Sequence, residues 1–343
     1  MSTTDTPTLK KKDFESDQQV RWCPGCGDYA ILSTTQSAFA ELGVPKENVV
    51  VISGIGCAAR FPYYVDTYGF HTIHGRAPAI ATGLKIARPE LSVWVVGGDG
   101  DMLSIGGNHL LHACRRNVDI NILCINNEIY GLTKGQYSPT SKVGTKKAST
   151  PMGSIDKPVN PIAVALAAEA TFVARSVDRF GPHLKGTLKA SHDHHGSSFV
   201  EVLQNCVIFN DATFDNVTGR GPDGPNRPVT TVELRHGEPL IFGRENELGL
   251  RLNGLDPEVV KLGENGVTEA DLLVYDKTNA SMAYLVANMD PARYPTPIGV
   301  FYEVPEGAAY EISVHDQIKA AREKKGEGDI MGLIRSGDIW TVE

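Results

Sequence analysis

Four of the six cysteines in this chain stand where thiolates could act together. Cys23 and Cys26 sit in Trp22-Cys23-Pro24-Gly25-Cys26-Gly27, Cys57 closes Gly54-Ile55-Gly56-Cys57, and Cys206 follows Gln204-Asn205 far downstream. Thiolates split in this way suit an iron–sulfur cluster, which takes four. Zinc also accepts four cysteines, although its sites more often show two close pairs. Between the third and fourth cysteines runs Gly98-Asp99-Gly100-Asp101, and Asn126-Asn127 ends an apolar run about 28 residues after Asp99. This second pattern suits a divalent cation that holds a diphosphate. Magnesium takes hard oxygen ligands in an octahedron and shares them with phosphate oxygens. The Asp99 carboxylate, the Asn127 amide oxygen and the backbone carbonyl of Ile129 would supply three, with diphosphate and water completing the shell. Gly98 and Gly100 would let the backbone approach phosphates without a Cβ in the way. A lone Gly-Asp-Gly is ordinarily a tight turn after a strand. The Asn-Asn pair at the end of the next strand sets this one apart.

These residues need a frame. Residues 48–53 contain Val49-Val50-Val51-Ile52-Ser53, a continuous apolar run suited to a buried strand, and residues 92–97 and 120–125 repeat the pattern. Further strands are expected over 171–175 and 199–203. Helices are expected over 28–42, where Asp28 would cap and Ile31, Leu32, Thr35, Phe39 and Leu42 form one stripe, and over 78–87, 105–117 and 160–170. Alternation of helices with apolar strands predicts an α/β fold, a mostly parallel sheet covered by helices on both faces. Ligands of such sheets gather at the carboxyl ends of the strands, where the glycine, Asp99 and Asn127 loops fall. Residues 1–20 read as a leader, with Lys10-Lys11-Lys12 solvated; 21–215 as the main domain; 216–343 as a C-terminal extension entered through the Gly/Pro-rich linker 218–228. Residues 133–160 read as a long polar loop, and long loops in compact domains are usually functional or mobile.

Composition limits the partners. The 343 residues carry a net charge of −8, which argues against nucleic acid and anionic membranes. No apolar run approaches the roughly 18–20 residues of a membrane span. The polar N-terminus lacks the apolar core of a secretion signal. A cytoplasmic protein is expected, and there a Cys-x-x-Cys is more often catalytic or metal-binding than a disulfide.

The order Cys-Pro-Gly-Cys-Gly, Gly-Ile-Gly-Cys, His74-Gly75-Arg76-Ala77, Gly-Asp-Gly-Asp and Asn126-Asn127-Glu128-Ile129-Tyr130-Gly131-Leu132-Thr133-Lys134-Gly135-Gln136 resembles the β subunit of the 2-oxoacid:ferredoxin oxidoreductases, which are thiamine-diphosphate enzymes. The resemblance covers about residues 20–210 and continues weakly through Gly237-Glu238-Pro239-Leu240 and Pro297-Ile298-Gly299-Val300. It implies that Cys23, Cys26, Cys57 and Cys206 ligate one 4Fe–4S cluster, leaving Cys114 and Cys124 as core thiols. It implies that Asp99, Asn127 and Ile129 hold Mg²⁺, and that thiamine diphosphate lies among Ile55, Gly56, Cys57, His74, Gly98, Asp99, Gly100, Asp101, Asn127, Ile129, Tyr130, Gly131, Leu132 and Thr133. The implied reaction is coenzyme A-dependent decarboxylation of a 2-oxoacid, with electrons passing singly through the cluster to ferredoxin. Asp28 stands where many relatives have histidine.

Within that resemblance Arg60 and His74 are the candidate catalytic residues. A guanidinium at Arg60 would clamp a substrate carboxylate, which favours 2-oxoglutarate; a surface ion pair is the plain reading. His74 would contact the diphosphate or the reacting centre, or be structural. His192-Asp193-His194-His195 reads as a solvated loop rather than a metal site. No candidate is evident for the glutamate that activates the aminopyrimidine of thiamine, so an α subunit is expected to supply it in an αβ or α2β2 assembly. The rivals are the same reaction on pyruvate or another 2-oxoacid, a non-redox thiamine enzyme, and a non-catalytic electron-transfer or scaffold subunit that holds a metal on its four cysteines.

Overall fold

A computed structural model describes residues 9–219, 230–304 and 308–342. Residues 1–8 of the leader and most of the linker lie outside the described residues. Within residues 9–20 a short turn at Lys11–Phe14 buries Phe14 completely beneath the first helix, while most of the surrounding residues stay exposed.

In chain order, α1 (Asp28–Phe39) leads to β1 (Val49–Ser53), α2 (Phe61–Tyr64), β2 (Tyr68–His71), α3 (Ala77–Ala87) and β3 (Ser92–Gly98). Then come α4 (Gly107–Arg115), β4 (Ile120–Asn126), a small hairpin of β5 (Ile129–Tyr130) and β6 (Gln136–Tyr137), α5 (Pro161–Ala167), β7 (Phe172–Val177), α6 (Gly181–Asp193) and β8 (Ser197–Leu203). After α7 (Asp215–Thr218) follow β9 (Thr231–Leu234), β10 (Ile241–Phe242), β11 (Leu248–Asn253), β12 (Asp256–Lys261), α8 (Ala280–Ala287), β13 (Thr296–Glu303), α9 (Tyr310–Lys325) and α10 (Ile330–Ile334).

Eight strands form one sheet in the order β2-β1-β3-β4-β8-β7-β13-β9. Its first six strands are parallel; β13 pairs antiparallel with β7, and β9 parallel with β13. Side chains alternate along each strand. Val50 and Ile52 of β1 and Val93 and Val95 of β3 enter one core with α3, α4 and α5, whereas Val49, Val51, Trp94 and Val96 enter the other with α1 and α6. Truncating a fully buried residue such as Ile122 to Ala would cost about 2–5 kcal/mol. Pro161 opens α5 where its missing N–H is harmless, and the Asn160 side chain accepts from the Ala163 N–H (3.2 Å).

Three local expectations are corrected. Asp28 is not a cap: Gly27 holds that position and the Asp28 side chain makes no capping bond. The helix expected over 105–117 begins at Gly107, because residues 101–105 form a widened turn in which Gly106 N–H reaches back to the Asp101 carbonyl (3.1 Å). The histidine cluster is not a solvated loop: His192 and Asp193 end α6, and His194 is buried with Nε2 2.7 Å from the Thr171 hydroxyl. The sheet also crosses residue 215, because β9 and β13 extend it. Beyond them, α9 and α10 carry a largely exposed end. Among the described residues no helix is long and apolar enough to cross a membrane.

Candidate active site

β1, β3, β4 and β8 are consecutive in the sheet and point the same way. The loops that leave their carboxyl ends, residues 54–57, 98–101, 126–131 and 204–206, therefore meet along one edge, the place where open α/β sheets bind ligands.

All four expected cysteines ring one cavity of about 200 Å³, together with Asp28, Arg60, Asn127, Gly131 and Leu132. Among the described residues no three Cys, His, Asp or Glu side chains converge closely enough to hold a single metal ion. Burial, aided by the Asp28 carboxyl, pushes the Cys26 thiol far up and the Cys57 thiol to about 12. Thiolates here need positive charge beside them, which bound metal ions supply. Asp28 Oδ2 lies 3.5 Å from Cys26 Sγ while its Oδ1 is buried with no hydrogen-bond partner, and burial raises this carboxyl to about 7. Gly131 allows the close approach: a Cβ there would lie 3.3 Å from Cys57 Sγ. Cys114 and Cys124 are fully buried elsewhere, and burial raises both thiols.

Beside this cavity stands the proposed cation site. Asp99 is buried, and burial raises its carboxyl against the pull of its hydrogen bonds. Thr140 donates to Asp99 Oδ2 (2.6 Å) and also lies 2.9 Å from Asn126 Oδ1. No cationic side chain among the described residues pairs with Asp99, so its carboxylate could take a bound cation. The two asparagines diverge. Asn126 turns into the sheet and donates to Glu201 Oε1 (2.7 Å). Asn127 Oδ1 accepts from Ile129 N–H (3.1 Å), and its side chain lines the cysteine cavity.

Asp101 holds the loops together. Its Oδ1 accepts from Gly75 N–H (2.8 Å) and Ile55 N–H (3.1 Å) and is hydrogen-bonded to His74 Nδ1. His74 is half-exposed, with its ring edge-on to Tyr130 at 6.2 Å. Gly100 also leaves room for a neighbour: a Cβ there would lie 2.1 Å from the Tyr130 ring, whose hydroxyl donates to the Gly100 carbonyl (3.2 Å). At Gly98 the nearest atom would be 3.8 Å away, an ordinary contact, so a Cβ there meets no clash.

Arg60 lines the cysteine cavity and donates to the Arg21 carbonyl (3.2 Å). Ile55 and Leu132 are exposed. Thr133 is exposed too and bonds Gln136, away from that cavity. Thr140 and Gln204 were missed: each is a buried polar residue whose partners come from distant strands. A hint lay in Ser138-Pro139-Thr140-Ser141, whose turn carries Thr140 back to Asp99. A larger cavity of about 260 Å³ lies on the other side of Asn126 and Thr140. Its buried charges already pair, Arg175 with Glu201 at 2.6 Å.

Comparison with known proteins identifies the family and the fold. Residues 54–202 match the family model described as "Thiamine pyrophosphate enzyme, C-terminal TPP binding domain". The chain is 49% identical over 350 residues to 2-oxoglutarate oxidoreductase subunit KorB of Mycobacterium tuberculosis, covering 99% of this chain and 90% of that one. It is 52% identical over 190 residues to 2-oxoacid:ferredoxin oxidoreductase 1, subunit beta, of Aeropyrum pernix, covering 55% of this chain and 60% of that one. In structure it resembles the 2-oxoglutarate:ferredoxin oxidoreductase from Magnetococcus marinus with 2-oxoglutarate, coenzyme A and succinyl-CoA bound. The TM-score is 0.74 at 30% identity, over 97% of both chains.

Proposed function

Because the chain belongs to the β subunits of the 2-oxoacid:ferredoxin oxidoreductases, we propose that it acts on 2-oxoglutarate with an α subunit, yielding succinyl-CoA and CO2 in the presence of coenzyme A, or running in reverse. Two electrons would leave one at a time through a 4Fe–4S cluster to ferredoxin. The observation that carries this reading is that Asn127, the proposed cation ligand, also lines the cavity ringed by Cys23, Cys26, Cys57 and Cys206. A diphosphate cofactor and an electron acceptor would then be neighbours. The names of the Mycobacterium and Magnetococcus relatives favour 2-oxoglutarate over pyruvate.

Thiamine diphosphate, when bound, supplies the carbanion for attack on the 2-oxoacid. The chain's own residues orient it. Asp99, Asn127 and the Ile129 carbonyl would hold Mg²⁺ on the diphosphate, and Asp101 ties the 54–57 and His74 loops together. Arg60 would bind the substrate's distal carboxylate. The four thiolates would hold the cluster.

The α subunit would cover this edge and provide the activating glutamate. Exposed Tyr68, Phe70, Ile73 and Ile105 favour such a cover. The end of the extension fits the same role, with Leu333, Ile334, Ile339 and Trp340 each at least 66% exposed. The test is anaerobic co-purification with the partner and measurement of iron, sulfide and thiamine diphosphate per β chain, followed by coenzyme A-dependent ferredoxin reduction with 2-oxoglutarate and pyruvate. About four irons and one thiamine diphosphate are expected. Zinc without thiamine diphosphate would move the chain to the scaffold reading.

A further inference from the structure

Gln204 touches both halves of the site. It follows β8 and is completely buried. Its Oε1 accepts from Asn127 Nδ2 (2.9 Å), and its Nε2 donates to Cys26 Sγ (3.3 Å) and to the Asn205 carbonyl. Its own backbone N–H donates to the Asn126 carbonyl (2.8 Å), which locks the residue to the end of β4.

The orientation of these amides follows from backbone groups that cannot flip. Ile129 N–H can only donate, so the Asn127 atom facing it at 3.1 Å is Oδ1. Asn127 therefore presents Nδ2 to Gln204, which must answer with Oε1. The opposite end of Gln204 is then Nε2, and it meets the Asn205 carbonyl, which can only accept. One of its two N–H bonds goes to that carbonyl, and the other is left for the Cys26 sulfur.

We propose that Gln204 is a positioning residue that joins the cation site to the cysteine site. This inference rests on the functional reading above. By holding Asn127 Nδ2, Gln204 turns Oδ1 toward the cation. By donating to Cys26 Sγ, it stabilises the extra negative charge of a reduced cluster and raises its potential, since hydrogen bonds to ligating sulfurs set that potential. Both effects come from one side chain, so a movement of Asn127 on cofactor binding would be felt at Cys26.

The test uses the anaerobically co-purified αβ complex, with wild type first. Wild type lacking iron or thiamine diphosphate would overturn the functional reading itself. With both groups present, Q204M removes both hydrogen-bonding arms at similar volume. An EPR-monitored redox titration should show a lower cluster potential. Thiamine diphosphate retention, measured by dialysis against magnesium buffer, should fall about 10- to 100-fold, the usual effect of losing a group that orients a metal ligand. Q204E keeps an acceptor for Asn127, so its retention should stay near wild type; its added charge beside Cys26 would lower the potential by itself, so the potential is read in Q204M. A potential unchanged in Q204M overturns the proposal, as does retention unchanged in Q204M. If Q204M fails to assemble, Q204L, which also lacks both arms, is read in its place on both measurements. Simple packing by Gln204 would leave the potential of the apolar variant unchanged and give no contrast in retention with Q204E.

Discussion

His74 rests on Asp101: its Nδ1 is hydrogen-bonded to Asp101 Oδ1 across 27 positions of sequence. A carboxylate oxygen accepts, so Nδ1 is the donor and Nε2 faces away from Asp101. The same oxygen takes the N–H groups of Gly75 and Ile55, so one buried carboxylate sets both the ring and the loop that leads to Cys57.

Removing that carboxylate should loosen both loops. D101A leaves the Ile55 and Gly75 N–H groups without their acceptor, at about 1–3 kcal/mol for each donor that stays buried. We expect a lower thermal midpoint for the complex together with weaker retention of thiamine diphosphate. A midpoint within error of wild type would overturn the role given to Asp101.

Gly100 and Tyr130 form a steric pair. G100A places a methyl 2.1 Å from the Tyr130 ring and should cost about 1–3 kcal/mol as an overpacking change. Adding Y130A should recover part of that loss, because residues in contact are not additive. A double-mutant cycle on thermal unfolding measures the coupling, and full additivity would count against the clash.

If the four thiolates hold a cluster as proposed, C57S should yield a complex with less iron than wild type. Iron analysis and the visible spectrum read this directly. An intact cluster spectrum in the variant would remove Cys57 from the ligand set.

Arg60 sets an expectation about substrate choice. R60L should lower kcat/KM for 2-oxoglutarate more than for pyruvate, by about tenfold or more, as expected when a charge-assisted hydrogen bond worth roughly 1.5–3 kcal/mol is lost. An unchanged ratio would falsify the carboxylate clamp.

Burial lowers the pKa of both His192 and His194. The unfolded chain takes up these protons near pH 6.5, the folded chain only at lower pH. Stability is therefore fully present above about pH 6.5 and declines as the pH falls through the folded values. H194Q should flatten that decline in denaturant unfolding measured from neutral pH downward. Parallel pH profiles for the two proteins would contradict it.

The strands that build the site could be read in the sequence because each is a short apolar run buried on both faces and ended by glycine, Asn127 or Gln204. Elements that depend on remote partners could not. α6 holds Gly181, Pro182, Gly186 and two histidines, a weak helical pattern that forms against α1. β13 carries Pro297 and Gly299, which disfavour a strand, yet it pairs on both sides. The cysteines, Asp99 and Asn127 were visible as motifs. Thr140, Gln204 and the loop-binding role of Asp101 were not, because their chemistry lies in contacts across the fold.

The position of β8 has a consequence for how the protein is made. This strand leads directly to Cys206 and lies between β4 and β7, in the middle of the sheet. A nascent chain on the ribosome holds Cys23, Cys26 and Cys57 long before the fourth thiol exists. Any inorganic group that requires all four must therefore be delivered after translation has passed residue 206, when the central strands can close.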